Sequence, residues 1–255
     1  MKVGGIIDIS TKDIPNKSSM VIFTVGCNFR CEFCQNKYLL YSGVGKSVEL
    51  NELIKTIRSN KLVGSVSISG GEPTLQNDLV ELCRVISEEG KYVSVDTNGS
   101  RPDIIKELIP FVNRVALDMK TNPLDSRRYQ EVSGNQVEIS KIIDTFQILN
   151  SNEKVNFEIR TTYVENLITT NDIQAIISFL KDNQFRGNYV LQQYQYSEGV
   201  EEKYKDKFQK PTHGKMIEIL RNYKKINLNF KIYIRDEVVG YDSLNDILNY
   251  LENEK

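Results

Sequence analysis

Histidine is nearly absent from this chain: one residue in 255, His213, is all there is. An HExxH zinc site is thereby excluded. With no Ser-His-Asp set and no phosphate-binding Walker loop either, nothing supports hydrolase or nucleotidase chemistry. Charge of one sign is not in excess: 33 Lys and Arg stand against 34 Asp and Glu, a net charge of −1. No global field draws such a chain to nucleic acid or to an anionic membrane surface, and any partner is recognised by shape. Long apolar runs are missing, and the opening Met1 to Ser10 lacks a basic region followed by an apolar core, which points to a cytoplasmic protein. Cysteine is scarce, with 4 residues in all. Three of them share one motif, a poor disulfide framework and, in a reducing compartment, a natural metal site. Internal repeats, low-complexity tracts and linkers are absent too.

What is present is an alternation of short β-branched runs with helical periods, the mark of βα units around a parallel sheet, hence an α/β fold. At 255 residues, 40% apolar and 26% charged, the chain suits one barrel-sized domain spanning 1–255. The pattern predicts strands at Met20 to Val25, Ser65 to Ser69, Tyr92 to Asp96, Arg114 to Asp118, Val155 to Thr162 and Asn188 to Tyr194. Apolar helical faces are formed by Leu79, Leu82, Cys83 and Ile86, by Ile139, Ile142, Ile143 and Phe146, and by Ile173, Ile176, Ile177 and Leu180,. Asn171 is the expected N-cap of the last of these. Further helices are expected at Asn51 to Arg58, Thr212 to Tyr223 and Ser243 to Leu251, the last two flanking a strand at Phe230 to Ile234,.

Cys27-Asn28-Phe29-Arg30-Cys31-Glu32-Phe33-Cys34 brings three thiols within eight residues. Three thiolates can hold three irons of a cuboidal 4Fe–4S cluster and leave the fourth iron open as a reaction site, whereas a pure electron carrier has a full cysteine set. A structural zinc competes with this reading, although it wants four closed N/S ligands, and so does a reduced core pair. Cys83, on an apolar helical face, reads as a core residue.

This spacing, with Phe33 before the last cysteine, resembles the radical S-adenosylmethionine (SAM) superfamily. Ser69-Gly70-Gly71-Glu72-Pro73 resembles its GGEP motif, Asp96-Thr97-Asn98-Gly99 its DTNG, and Leu117-Asp118-Met119-Lys120 its LDxK. With Gly26-Cys27-Asn28 and Cys34-Gln35-Asn36, the pattern is similar to the glycyl-radical-enzyme activating branch. The opening Gly5 to Ser10, Glu158 to Thr162 and Tyr189 to Tyr194 resemble its archaeal-type anaerobic ribonucleoside-triphosphate reductase activating proteins. The resemblance covers roughly residues 1 to 200. It implies a partial (β/α)6 barrel over about 18–200 with a small C-terminal α/β extension over about 201–255. In such a barrel ligands bind at the carboxyl ends of the strands, where all four motifs fall. Taken singly, Gly70-Gly71 reads equally as a turn and Asp96 to Gly99 as an Asx turn.

The resemblance implies a 4Fe–4S cluster on Cys27, Cys31 and Cys34, with SAM chelating the open iron. It implies further that Gly70, Gly71, Glu72 and Pro73 hold the methionine moiety, that Phe33 packs on adenine, and that Asp96, Asn98, Asp118, Met119 and Lys120 line the SAM pocket; read from the residues alone, Phe33 is equally a core aromatic and Lys120 a solvated strand-end charge. A bulky side chain at Gly71 is expected to block SAM while leaving the cysteine loop intact. Gln35 and Gln195, also on the cofactor side, stand where relatives carry histidine. They keep amide contacts and lose an ionisable group. His213 reads as the first turn of a helix. An electron delivered by a flavodoxin- or ferredoxin-type donor would cleave SAM to methionine and a 5′-deoxyadenosyl radical, which takes a hydrogen atom from a glycine of a partner reductase. The alternatives are a small radical SAM enzyme acting on a metabolite, such as the 7-carboxy-7-deazaguanine synthases, and a non-catalytic cluster or metal carrier. Neither nucleic acid nor membrane is an expected partner.

Overall fold

The β-branched runs become strands, and two further pairings appear at their flanks. The computed structural model describes residues 1–41, 43–196, 202–204 and 206–253. In chain order, the first half contains β1 (Lys2–Ile14), β2 (Lys17–Thr24), β3 (Lys46–Ser47), α1 (Leu50–Ser59), β4 (Ser65–Gly70), α2 (Leu79–Glu88), β5 (Tyr92–Thr97), α3 (Pro102–Leu108) and β6 (Arg114–Asp118). The second half contains α4 (Ser126–Ser133), α5 (Ile139–Asn150), β7 (Asn156–Tyr163), α6 (Thr170–Asp182), β8 (Asn188–Gln193), α7 (His213–Leu220), β9 (Lys231–Asp236), β10 (Gly240–Ser243) and α8 (Leu244–Asn253). The junction expected near residue 200 lies outside the described residues. The chain forms two units: Met1–Arg30, Asn36–Leu117 and Glu138–Phe157 make one, and Cys31–Gln35, Asp118–Val137 and Glu158–Lys255 the other.

In the first unit the strand order is β6-β5-β4-β2-β1-β3. Strands β2, β4, β5 and β6 run parallel, with Val21 beside Ser67, Ser67 beside Ser94 and Ser94 beside Arg114. Because side chains alternate across a strand, one face carries Ile22, Ile68, Val95 and Val115. The other carries a buried polar row that includes Ser67, Ser94, Asp96 and Arg114. The apolar stripe of α2, Leu79, Leu82, Cys83 and Ile86, is wholly buried. The core reading of Cys83 holds, and burial pushes its thiol up above the usual range. Strand β1 is antiparallel to β2 and turns back through Asn16 at φ 59°, a left-handed conformation that asparagine tolerates.

In the second unit the order is β10-β9-β8-β7, with β7, β8 and β9 parallel and β10 antiparallel to β9. Helix α6 is capped differently from the expectation. Thr169 is the N-cap and forms a capping box: its hydroxyl accepts from the Asp172 N–H, and Asp172 accepts from the Thr169 N–H at 2.8 Å. Asn171 lies inside the first turn, because the cap needs a partner three residues on and Asp172 supplies it to Thr169. Asp172 also accepts from Thr121 Oγ1 at 2.6 Å and from Arg128 Nη2 at 2.9 Å. Burial pushes its carboxyl up, but the hydrogen bonds from Arg128, Thr121 and Thr169 outweigh it and bring the group down to about 2.

A depressed folded-state value means that the ionised carboxylate stabilises the fold above its ordinary range. That contribution is lost as pH falls from about 4 through about 2. The shift from 3.8 to about 2 corresponds to about 2 kcal/mol at neutral pH. Unfolding free energies of wild type and Asp172→Asn from urea titrations should differ by this order at pH 7 and converge as pH drops toward 2. A gap that stays constant with pH contradicts the assignment.

Candidate functional site

The end of β4 is shaped by backbone approach. Gly70 has φ +117°, and a Cβ there would lie 2.3 Å from the Thr24 nitrogen; a Cβ on Gly71 would lie 2.1 Å from the Gly26 carbonyl oxygen. Two hydrogen bonds fix the approach: Gly71 N–H donates to the Thr24 carbonyl at 2.9 Å and Glu72 N–H to the Gly26 carbonyl at 2.7 Å. The paired glycines therefore seat the GGEP turn against the residues that lead into Cys27. This corrects the expectation that a Gly71 side chain would leave the cysteine loop untouched, since the first atom it meets is the backbone next to Cys27.

Glu72 is buried and its carboxylate faces protein donors. One oxygen accepts from Thr74 N, Thr74 Oγ1 and Thr97 Oγ1, the other from Asn98 N at 2.6 Å. Burial raises its pKa, an effect that these hydrogen bonds only partly offset. Its side chain thus ties GGEP to DTNG, while Pro73 starts a short 3-10 turn behind it. The Asx-turn reading of DTNG holds as well: Ser100 N–H donates to Asn98 Oδ1 at 3.0 Å and Gly99 N–H to Thr97 Oγ1 at 3.1 Å. Asn98 Nδ2 reaches Asn28 Oδ1 at 2.8 Å and Cys27 Sγ at 3.9 Å, and Phe29 N–H donates to the same sulfur at 3.4 Å. Asp96 lies one step back along β5. Ser69 Oγ donates to it at 3.2 Å and the Arg114 guanidinium stands 3.5 Å away.

In the second unit, Asp118 accepts from Arg160 Nε at 2.7 Å and from Lys120 Nζ at 2.9 Å. Burial pushes its carboxyl up, but the two cations win and hold it well below the usual carboxylate range. Lys120 is raised for the reciprocal reason, Asp118 outweighing its own burial. Met119 is fully buried; its N–H donates to the Arg160 carbonyl and its carbonyl accepts from Thr161 Oγ1. Cys31 is buried, and desolvation pushes its thiol up to about 11 against the pull of the Lys120 charge. Phe33, 5% exposed, meets Phe208 edge-on with centroids 6.4 Å apart. Gln35 Nε2 donates to the Gln195 carbonyl at 2.7 Å, and Gln195 Nε2 to Gln193 Oε1 at 3.2 Å. His213 opens α7 as expected and lies 2.5 Å from Asp236.

Arg160, Asn28, Thr97 and Gln193 lie inside stretches that carry the resemblance, but none of them has a site role on sequence grounds. The signals for Arg160 were its place within Glu158 to Thr162 and a charge alternating with Phe157, Ile159 and Thr161 on a strand. Among the described residues no three His, Cys, Asp or Glu side chains stand ready-made as a metal site. The sulfurs nevertheless have polar neighbours, with N–H donors on Cys27 and the Lys120 ammonium partly opposing the desolvation of Cys31,. All four cysteines are free thiols.

A SAM-dependent radical enzyme is the class that these motifs define, and the comparisons agree. The model of the radical SAM superfamily matches residues 21–180, and the chain belongs to that superfamily. It is 35% identical over 228 residues, 88% of this chain and 92% of the relative, to a Methanocaldococcus jannaschii protein provisionally named a glycyl-radical enzyme activating enzyme. It also matches a Thermoplasma acidophilum 7-carboxy-7-deazaguanine synthase, at 36% over 97 residues, 38% of this chain and 44% of that relative. The fold is that of Streptococcus suis SuiB solved with S-adenosylmethionine, with a TM-score of 0.63 and 22% identity. That match covers 83% of this chain and about half, 49%, of SuiB. The chain is thus a radical SAM enzyme of the glycyl-radical activating branch, and its cofactors are a 4Fe–4S cluster and SAM. Among the described residues no helix is long and apolar enough to cross a membrane.

Proposed function

We propose that this protein activates an anaerobic ribonucleotide reductase by generating a glycyl radical on it. The observation that carries the reading is the hydrogen-bonded assembly around Asn98, which joins the Glu72 carboxylate of GGEP, the DTNG turn and the Cys27 loop. Three motifs that resemble a SAM and cluster site are thereby held as one rigid piece. The near full-length likeness to a provisional activase supports a protein substrate.

When bound, the cluster and SAM together supply a carbon-centred radical able to take a hydrogen atom. Cys27, Cys31 and Cys34 would hold the cluster. Gly70, Gly71 and Pro73 would hold SAM, with Glu72 and Asn98 fixing their backbone, and Asp118, Met119, Lys120 and Arg160 would line its pocket. Phe33, buried against Phe208, would pack on the adenine of SAM. The electron donor is a flavodoxin or ferredoxin.

The metabolite-modifying reading keeps the partial likeness to a deazaguanine synthase as its support. Electron paramagnetic resonance of the reduced, reconstituted protein with SAM and the reductase encoded in the same genome separates the two. A glycyl doublet is expected. Deoxyadenosine formed with a small metabolite, and no doublet with any encoded reductase, transfers the function to the second reading.

A further inference from the structure

The geometry points to Gln193 as a positioning residue that holds the cysteine loop in place through Gln195 and Gln35. Gln193 is the last residue of β8, 3% exposed, so its amide must find its partners within the protein. It does so three times. Its Nε2 donates to the Pro211 carbonyl at 2.8 Å, and its Oε1 accepts from Glu237 N–H and from Gln195 Nε2, both at 3.2 Å. The Gln195 carbonyl in turn accepts from Gln35 Nε2 at 2.7 Å, and Gln35 directly follows Cys34.

The same stretch of chain holds the loop twice more. Phe208 receives the edge of Phe33 and packs on Tyr194, while Lys207 pairs with Glu32. Glu32, Phe33 and Gln35 flank Cys31 and Cys34, so the residues beside two thiols are all gripped by chain that follows β8. Gln193 joins the two ends of that stretch, Gln195 and Pro211. The tether is built of neutral amides, which gives the glutamines at 35 and 195 a use that does not depend on proton transfer. Removing Gln193 leaves the buried Pro211 carbonyl unpaired,, whereas the Gln35–Gln195 bond at the other end is exposed.

This inference extends the cluster reading, and its test separates the two. Hydrogen–deuterium exchange of residues 31–35 in cluster-free protein reads the loop directly. Gln193→Leu and Gln35→Leu should each raise exchange there several-fold, about what the loss of one net hydrogen bond allows. The double variant should exceed Gln193→Leu by less than about twofold. Leu180→Ala, a core truncation in α6 at a fully buried site, controls for general destabilisation and should leave loop exchange at the wild-type level. In reconstituted protein the Gln193 and Gln35 variants should lose iron to a chelator about tenfold faster. Unchanged exchange at 31–35 in Gln193→Leu overturns the inference, as do Gln193 and Gln35 effects that add independently. Loosened exchange in a protein that takes up no cluster leaves the tether standing and refutes the cofactor reading alone.

Discussion

Alanine at Cys27, Cys31 or Cys34 is expected to abolish the cluster, and alanine at Cys83 to leave it at the wild-type level. The four thiols sit in different chemistry. Cys27 Sγ accepts from Phe29 N–H and lies within reach of Asn98 Nδ2, neighbours that orient a ligating sulfur. Cys31 is buried and pushed up to about 11, with the Lys120 charge partly relieving it. A thiol in that state stays protonated at neutral pH until a metal displaces the proton, so its ligand role is strongly metal-dependent. Cys83 lies in α2 among Leu79, Leu82 and Ile86 with no exposed surface. Its truncation removes one sulfur from the core and should cost about 1 kcal/mol of stability. Iron content and the visible spectrum after anaerobic reconstitution measure the difference. A Cys83→Ala protein as poor in iron as Cys31→Ala would break the ligand assignment.

Gly71→Ala is expected to lose SAM binding and to impair cluster retention together. A Cβ placed 2.1 Å from the Gly26 carbonyl oxygen cannot be absorbed by a flexible side chain. Backbone must move, and the backbone in question holds the Glu72 N–H hydrogen bond and leads into Cys27. Gly214 is the contrasting position. It lies in α7 with nothing within 4 Å of an added Cβ, and Gly214→Ala should be neutral or stabilise by about 0.5–1 kcal/mol. Calorimetric titration of SAM and iron analysis on both variants decide the matter. Intact cluster with lost SAM binding in Gly71→Ala would restore the simpler picture of a glycine that serves the ligand alone.

The six strands expected from β-branched runs were legible because each run is short, apolar on at least one face and bounded by polar residues. The four motifs were legible because each is contiguous. What escaped has physical reasons. Strand β1 exposes Ile6, Ile7 and Ile9 and carries register shifts against β2, so its apolar residues do not alternate as a half-buried strand does. Helix α4 buries Tyr129, Val132 and Ser133, too small a stripe to register as a helical period. The partners were hidden by sequence distance: Asn98 to Asn28 spans 70 residues and Arg160 to Asp118 spans 42. Residue types announced the chemistry; only the fold revealed that Glu72 and Asn98 bond to other motifs and that Gln35 bonds to Gln195.

The central claim, that this chain takes a hydrogen atom from a glycine of a protein partner, is tested most directly by isotope transfer. The partner reductase is prepared with α-deuterated glycine and mixed anaerobically with reduced, reconstituted protein and SAM, and the 5′-deoxyadenosine is analysed by mass spectrometry. Deuterium in the deoxyadenosine, in step with a glycyl signal that loses its α-hydrogen splitting, is the predicted result. Deoxyadenosine that forms without deuterium, in amounts indifferent to the reductase, would contradict it.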